Sequence, residues 1–258
     1  MTTIKQHEPG TVTWVDLMTP DIEGARRYYG ELFAWNFAIG PAETGHYTMC
    51  TVHGDNVAGM GQMPPGAPYP STWTIYFGAR DLDASAARIR ELGGQVMMGP
   101  MDVMREGRML VALDPCGAAF GLWQPGLHHG AGRVDEAGAM VWREVNVREV
   151  APARAFYTGL FGLEARPLES PGVVYETLHL GAKTVGGIMQ MDASWPADIP
   201  AHWMNYFAVD DVDAALRRSE NAGGRTCVPA FETPYGRMAV VADPWGATFS
   251  IMTPRTPG

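Results

Sequence analysis

The chain has 258 residues, 46% hydrophobic and 18% charged, which excludes disorder of the low-hydropathy, high-charge kind and allows a full buried core. Nineteen Lys and Arg against 28 Asp and Glu leave a net charge of −9, which argues against a nucleic-acid backbone or an anionic membrane surface as the main partner. Cys50, Cys116 and Cys227 are too few and too scattered for a disulfide framework, and no apolar run approaches the roughly 18 residues of a membrane span, so a cytoplasmic protein in a reducing compartment is expected.

In chain order, a short strand around Val12–Leu17 ends at Thr19-Pro20, with Thr19 as the expected N-cap and Pro20 as the first helical residue. Ile22, Ala25, Tyr29 and Leu32/Phe33 then fall at helical spacing. Two strand-like runs, Tyr47–Val52 and Val57–Met63, are split by the His53-Gly54-Asp55-Asn56 turn. Trp73–Phe77 reads as a further strand. Asp81–Leu92 reads as a helix stopped by Gly93-Gly94. Leu110–Asp114 and Ala118–Trp123 form a hairpin across Asp114-Pro115-Cys116-Gly117.

The same series then returns. Trp14-Val15-Asp16-Leu17 recurs as Trp142-Arg143-Glu144-Val145, an offset of 128 residues, and Tyr47 and Gly59 recur as Tyr175 and Gly187 at that offset. Trp73, Phe77 and Gly93-Gly94 recur 130 residues on, and Gly107-Arg108-Met109 recurs 129 residues on. Two modules are expected, over residues 8–126 and 139–254, joined by a linker over 127–138. Each module reads as βαβββ twice, so the chain holds four such units. The linker histidines His128 and His129 are expected to be solvated.

Tyr28-Tyr29-Gly30-Glu31-Leu32-Phe33 and its partner Phe156-Tyr157-Thr158-Gly159-Leu160-Phe161 now acquire a meaning. With Phe77-x-x-x-Asp81-Leu82-Asp83-Ala84, Phe207-x-x-x-Asp211-Val212-Asp213-Ala214 and the two Asp-Pro-x-Gly turns, they carry a resemblance to the vicinal oxygen chelate superfamily. That superfamily includes glyoxalase I, bleomycin-resistance proteins and extradiol dioxygenases. Within it the chain resembles the two-module proteins loosely labelled hydroxylases. The resemblance implies an α+β fold of tandem glyoxalase-like modules, whose four βαβββ units form curved mixed sheets around clefts. It also implies where metal-dependent members keep their ligands. The first-strand position maps to Trp14 and Trp142, the middle-strand position to Thr74 and Met204, and the last-strand position to Gly121 and Ser250. None of these six is a usual ligand for zinc, iron or manganese. No metal and no other cofactor is therefore expected, with a divalent metal as the lesser alternative.

Strand residues two apart share a face, so Asp16 lies beside Trp14 and Glu144 beside Trp142. A carboxyl group among aromatic rings loses hydration and rises in pKa toward acid–base duty, which makes Asp16 and Glu144 the candidate catalytic residues. Arg108 and Arg237 are candidate partners for them. Trp14, Trp142, Tyr47, Tyr76, Tyr175, His179, His202 and Tyr206 are candidate ligand-binding residues on cleft-facing strands. Sixteen Met, 8 Trp, 9 Tyr and 9 Phe read as core packing first and as the lining of an apolar ligand cavity second.

Three functions stay open. The first is a binding protein for a small aromatic or polycyclic organic molecule, of the resistance or sequestration type. The second is a metal-independent enzyme of secondary metabolism that uses cleft acids, a lyase or isomerase. The third is a metal-dependent lyase or dioxygenase with ligands relocated to Asp16, Glu144, His179 and His202. Four units in one chain predict a monomer or a weak homodimer, since closing a cleft needs no second copy.

Overall fold

In a computed structural model, which describes residues 4–67, 69–169 and 172–255, the repeat becomes two eight-stranded sheets of identical topology. The first half runs β1 (Val12–Thr19), α1 (Ile22–Phe33), β2 (Asn36–Ile39), β3 (Thr48–Val52), β4 (Asp55–Gln62), β5 (Thr72–Gly78), α2 (Leu82–Glu91), β6 (Gln95–Val103), β7 (Gly107–Leu113) and β8 (Ala119–Pro125). The second runs β9 (Met140–Val147), α3 (Val150–Phe161), β10 (Glu164–Leu168), β11 (Tyr175–Leu180), β12 (Lys183–Gln190), β13 (His202–Ala208), α4 (Val212–Asn221), β14 (Arg225–Thr233), β15 (Gly236–Ala242) and β16 (Thr248–Pro254). The first sheet has the order β2-β3-β4-β1-β5-β8-β7-β6, and the second repeats it as β10-β11-β12-β9-β13-β16-β15-β14. In each sheet two βαβββ units meet along the antiparallel β1–β5 or β9–β13 seam.

The outermost strands β2, β6, β10 and β14 are absent from the sequence reading as separate elements. Their residues are mostly exposed and show no apolar alternation, because an edge strand with little to bury needs none. The expected Thr19 cap is also corrected. Asp21 caps α1, its Oδ1 accepting from the Gly24 amide at 2.8 Å, while Thr19 ends the strand. A carboxylate one residue from the helix start meets the free amides better than a hydroxyl still held in the sheet. Asp81 and Asp211 cap α2 and α4 in the same way.

The helix-side faces of both sheets enclose one core. Phe77 of the first sheet stacks on Phe161 at 4.5 Å and meets Trp203 at 5.3 Å, while Phe33 of α1 packs on Phe207 at 5.2 Å. Two hydrogen-bond chains lock this interface symmetrically. The Trp73 indole donates to Tyr29, and Tyr29 donates to Asp243 of the opposite half. The Trp203 indole donates to Tyr157, and Tyr157 donates to Asp114. The Asp-Pro-x-Gly aspartates thus do two jobs: each folds its own turn by accepting backbone amides and each receives a buried tyrosine from the other half. Among the described residues no helix is long and apolar enough to cross a membrane.

Candidate functional site

With the helices on one face of each sheet, the other face carries the cleft residues. In the second sheet three strands set them in rows. Trp142, Tyr206 and Ser250 are neighbours across β9, β13 and β16. One row along, Glu144 lies between Gly187 and Met204, and the next row pairs Asn146 with His202. Gly187 has a steric reason: a Cβ there would overlap the Tyr175 hydroxyl, which needs that space to reach the acid. Tyr175 and Tyr206 both donate to Glu144, one to each carboxylate oxygen and each at 2.7 Å. The Trp142 indole donates to Tyr175 at 2.9 Å and completes the chain. Glu144 is 5% exposed, and its burial raises its pKa against the opposing pull of the Tyr206, Tyr175 and Trp142 donors.

The first sheet repeats the pattern with one methylene fewer. Trp14 donates to Tyr47 at 3.0 Å, and Tyr47 donates to Asp16 Oδ2 at a longer 3.2 Å. Oδ1 of Asp16 is buried without a hydrogen-bond partner. The shorter side chain holds its tyrosines less well, and burial pushes the Asp16 pKa to about 7 against the Tyr47 and Tyr76 hydroxyls. The folded protein therefore holds this proton more tightly than the unfolded chain does. The stability it contributes is complete below pH 3.8 and is lost as pH rises to about 7. Asp16→Asn is expected to remove that loss, so its stability advantage over the wild type should grow across this window in urea denaturation. A constant difference at every pH would refute the shifted carboxyl.

The two clefts differ in what covers them. The connecting segment, expected to be a solvated linker, lies across the first cleft. The Ala131 amide bonds to the Thr13 carbonyl at 2.8 Å, and Gly132 bonds to Asn56 at 2.7 Å. His128 is buried, which corrects its expected solvation, whereas His129 is exposed. The His128 ring meets Trp14 edge-on at 4.4 Å and Trp123 at 5.6 Å. Burial, helped by the nearby His129 and His7, pushes its pKa down to about 4, so the ring is a neutral wedge. Trp14, Tyr76, Trp123 and Ala131 close into a small apolar cluster of their own. The register puts Met252 where Trp123 stands, and Trp142, Tyr175 and Tyr206 are only half-buried. The second cleft is the open one.

Other expected site residues scatter. His202 does face the cleft. Its Nδ1 lies 2.9 Å from the Pro200 carbonyl and so carries the proton, which leaves Nε2 to accept from the Asn146 amide at 3.2 Å. Asn146 and His202 have Met18 and Thr72 as counterparts in the first sheet, so this polar pair belongs to the open cleft alone. His179 bonds only to Thr177 and Thr184, well along β11 from the acid. Arg108 and Arg237 are not partners of the acids. They pair at the surface with Asp83 and Asp102, and with Asp213 and Glu232, because the sheet turns them outward.

The superfamily's metal positions can be tested on their donors. Trp14, Thr74 and Gly121, like Trp142, Met204 and Ser250, bring no imidazole, carboxylate or thiolate, and a Cβ at Gly121 would collide with the Tyr76 ring. Among the described residues no group of three or more His, Cys, Asp or Glu side chains converges to hold an ion. These residues do not fit a metal at that position. What the open cleft offers is a ring face, two oriented phenols and a buried acid.

The sequence pattern of the Glyoxalase/Bleomycin resistance protein/Dioxygenase superfamily matches residues 11–122 and 134–251. CFP32 of Mycobacterium tuberculosis, which bears the name of a glyoxylase, is 40% identical over 255 residues, or 96% of this chain and 97% of its own. The anthracycline biosynthesis protein DnrV of Streptomyces peucetius is 34% identical over 258 residues, or 95% of this chain and 93% of its own. The Mn(II)-bound glyoxalase of Novosphingobium aromaticivorans shares the fold, with a TM-score of 0.64 at 12% identity over 95% of this chain and 82% of that one.

Proposed function

The chain belongs to the Glyoxalase/Bleomycin resistance protein/Dioxygenase superfamily, and from that premise we propose that it binds an aromatic or polycyclic organic molecule, without a metal, in the cleft of its second sheet. The observation that carries this is the contrast between the clefts. In the first, a ring from the chain's own connecting segment sits edge-on to Trp14. In the second, the equivalent Trp142 is left half-buried beside Glu144, Tyr175 and Tyr206. His128 thus stands in for the ligand ring, and aromatic packing of that kind supplies both contact area and orientation. The hydroxyls of Tyr175 and Tyr206, held by Glu144, have lone pairs for a phenol or amine on the ligand. The name of DnrV, an anthracycline biosynthesis protein, supports the polycyclic class. One chain supplies every residue of the site, so a monomer suffices.

A second possibility is metal-independent catalysis in the same cleft, of the lyase or isomerase type, and the raised pKa of Glu144 favours it. The test is fluorescence titration with a hydroxyanthraquinone, followed by mass spectrometry of the recovered molecule. One saturable site per chain, unaffected by chelators, is the expected result, and an altered molecule on recovery would select catalysis. Two equivalent sites per chain, or binding abolished by chelation, would overturn the proposal.

A further inference from the structure

A pocket of about 130 Å³ lies at the junction of the two halves, apart from the cleft rows. The N-terminal segment, the connecting segment and the starts of β9 and β12 converge on it. Arg143 sets its chemistry. This side chain is only 8% exposed. Among the described residues its one hydrogen bond runs from Nε to the Val185 carbonyl at 2.7 Å, and no carboxylate forms an ion pair with it. The two terminal nitrogens are left to line the pocket. A buried guanidinium without a paired anion is costly, and burial depresses the Arg143 pKa accordingly.

The surroundings define what would relieve that cost. Lys183 adds a second cation. Asp135 acts on both from a distance without contacting either. His7, on the pocket wall, has its pKa lowered by burial and is neutral. Two cations and one carboxylate leave a single positive charge, which suits a monoanion. The fork of a guanidinium matches the two oxygens of a carboxylate. The remaining walls include Ile4, Val12, Val134 and Val141, which suit a short aliphatic tail.

We propose that this junction pocket is a second ligand site, which takes a short-chain aliphatic monocarboxylate paired with Arg143 and Lys183. It stands independently of the aromatic cleft. Calorimetric titration with butyrate at low ionic strength, with butyramide and inorganic phosphate as comparisons, tests it. Butyrate is expected to bind saturably, one per chain, and butyramide not at all. Lys183→Ala, at an exposed position, should weaken butyrate several-fold, and Asp135→Asn should tighten it several-fold by removing a like charge. Arg143→Gln should abolish binding in protein shown by circular dichroism to be folded. Butyrate heats equal to those of butyramide would overturn the proposal. So would phosphate binding tighter than butyrate, or one affinity shared by wild type, Lys183→Ala and Asp135→Asn.

Discussion

Trp142→Ala is expected to weaken binding of an aromatic ligand by roughly 1–3 kcal/mol while leaving the fold intact, whereas Trp14→Ala should leave binding nearly unchanged and cost roughly 3–5 kcal/mol of stability. The two residues hold the same place in the repeat, so the contrast comes from their surroundings. Trp14 is 3% exposed and is wedged among His128, Tyr76 and Trp123. Removing it leaves a cavity that the sheet and the connecting segment cannot both collapse to fill. Trp142 keeps its hydrogen bond to Tyr175 and shows a ring face to the cleft, so its loss is felt by whatever packs there. Hydroxyanthraquinone titration and urea denaturation of both variants read the two quantities separately. Equal losses of binding in both variants would place ligand in both clefts. Unchanged binding in both would move the site elsewhere.

The second large effect is expected at the interface between the halves. Asp114→Ala should destabilise the whole protein by roughly 3–5 kcal/mol, and Tyr157→Phe by roughly 1–3 kcal/mol. Asp114 accepts from the Cys116 and Ala118 amides and from Tyr157 of the other half at 2.8 Å. The alanine variant strands all three donors in the core, whereas the phenylalanine variant removes one donor and keeps the ring. The core runs through both halves without a break, so denaturation should be a single transition by tryptophan fluorescence and by far-ultraviolet circular dichroism alike. Two separated transitions would show that each half keeps a core of its own.

Much of this architecture was legible in the residues. Constant offsets between unlike residue types located both modules. Strand alternation alone placed Asp16 beside Trp14 and Glu144 beside Trp142, and the tyrosines assigned to the cleft do converge on the acids. What could not be read depends on contacts distant in the chain. Nothing near Tyr29 or Tyr157 in sequence announces a bond 214 or 43 residues away. His128 lies in a Gly-rich stretch whose composition describes a solvated linker, and only the path of the chain over Trp14 buries it. His179 sits on a cleft strand by alternation, but the shift in register after Leu178 carries it away from the acid. Edge strands such as β6 bury too little to leave a periodic trace.

A joint that doubles as a stopper has lost the freedom of ordinary connectors. Surface loops usually absorb extra residues cheaply, since closure entropy grows only slowly with length. Here the spacing between Gly126 and Met140 is fixed at both ends: Gly126 bonds back to Glu106, and Ala131 is pinned to Thr13 midway. An insertion before Ala131 would draw the imidazole off the indole rings and open one half to water. Truncation at the apparent boundary would bare the same rings. In this lineage, duplication supplied a spare receptor that became a fastening, which left the other copy free to diverge toward new guests without disturbing the hinge between them.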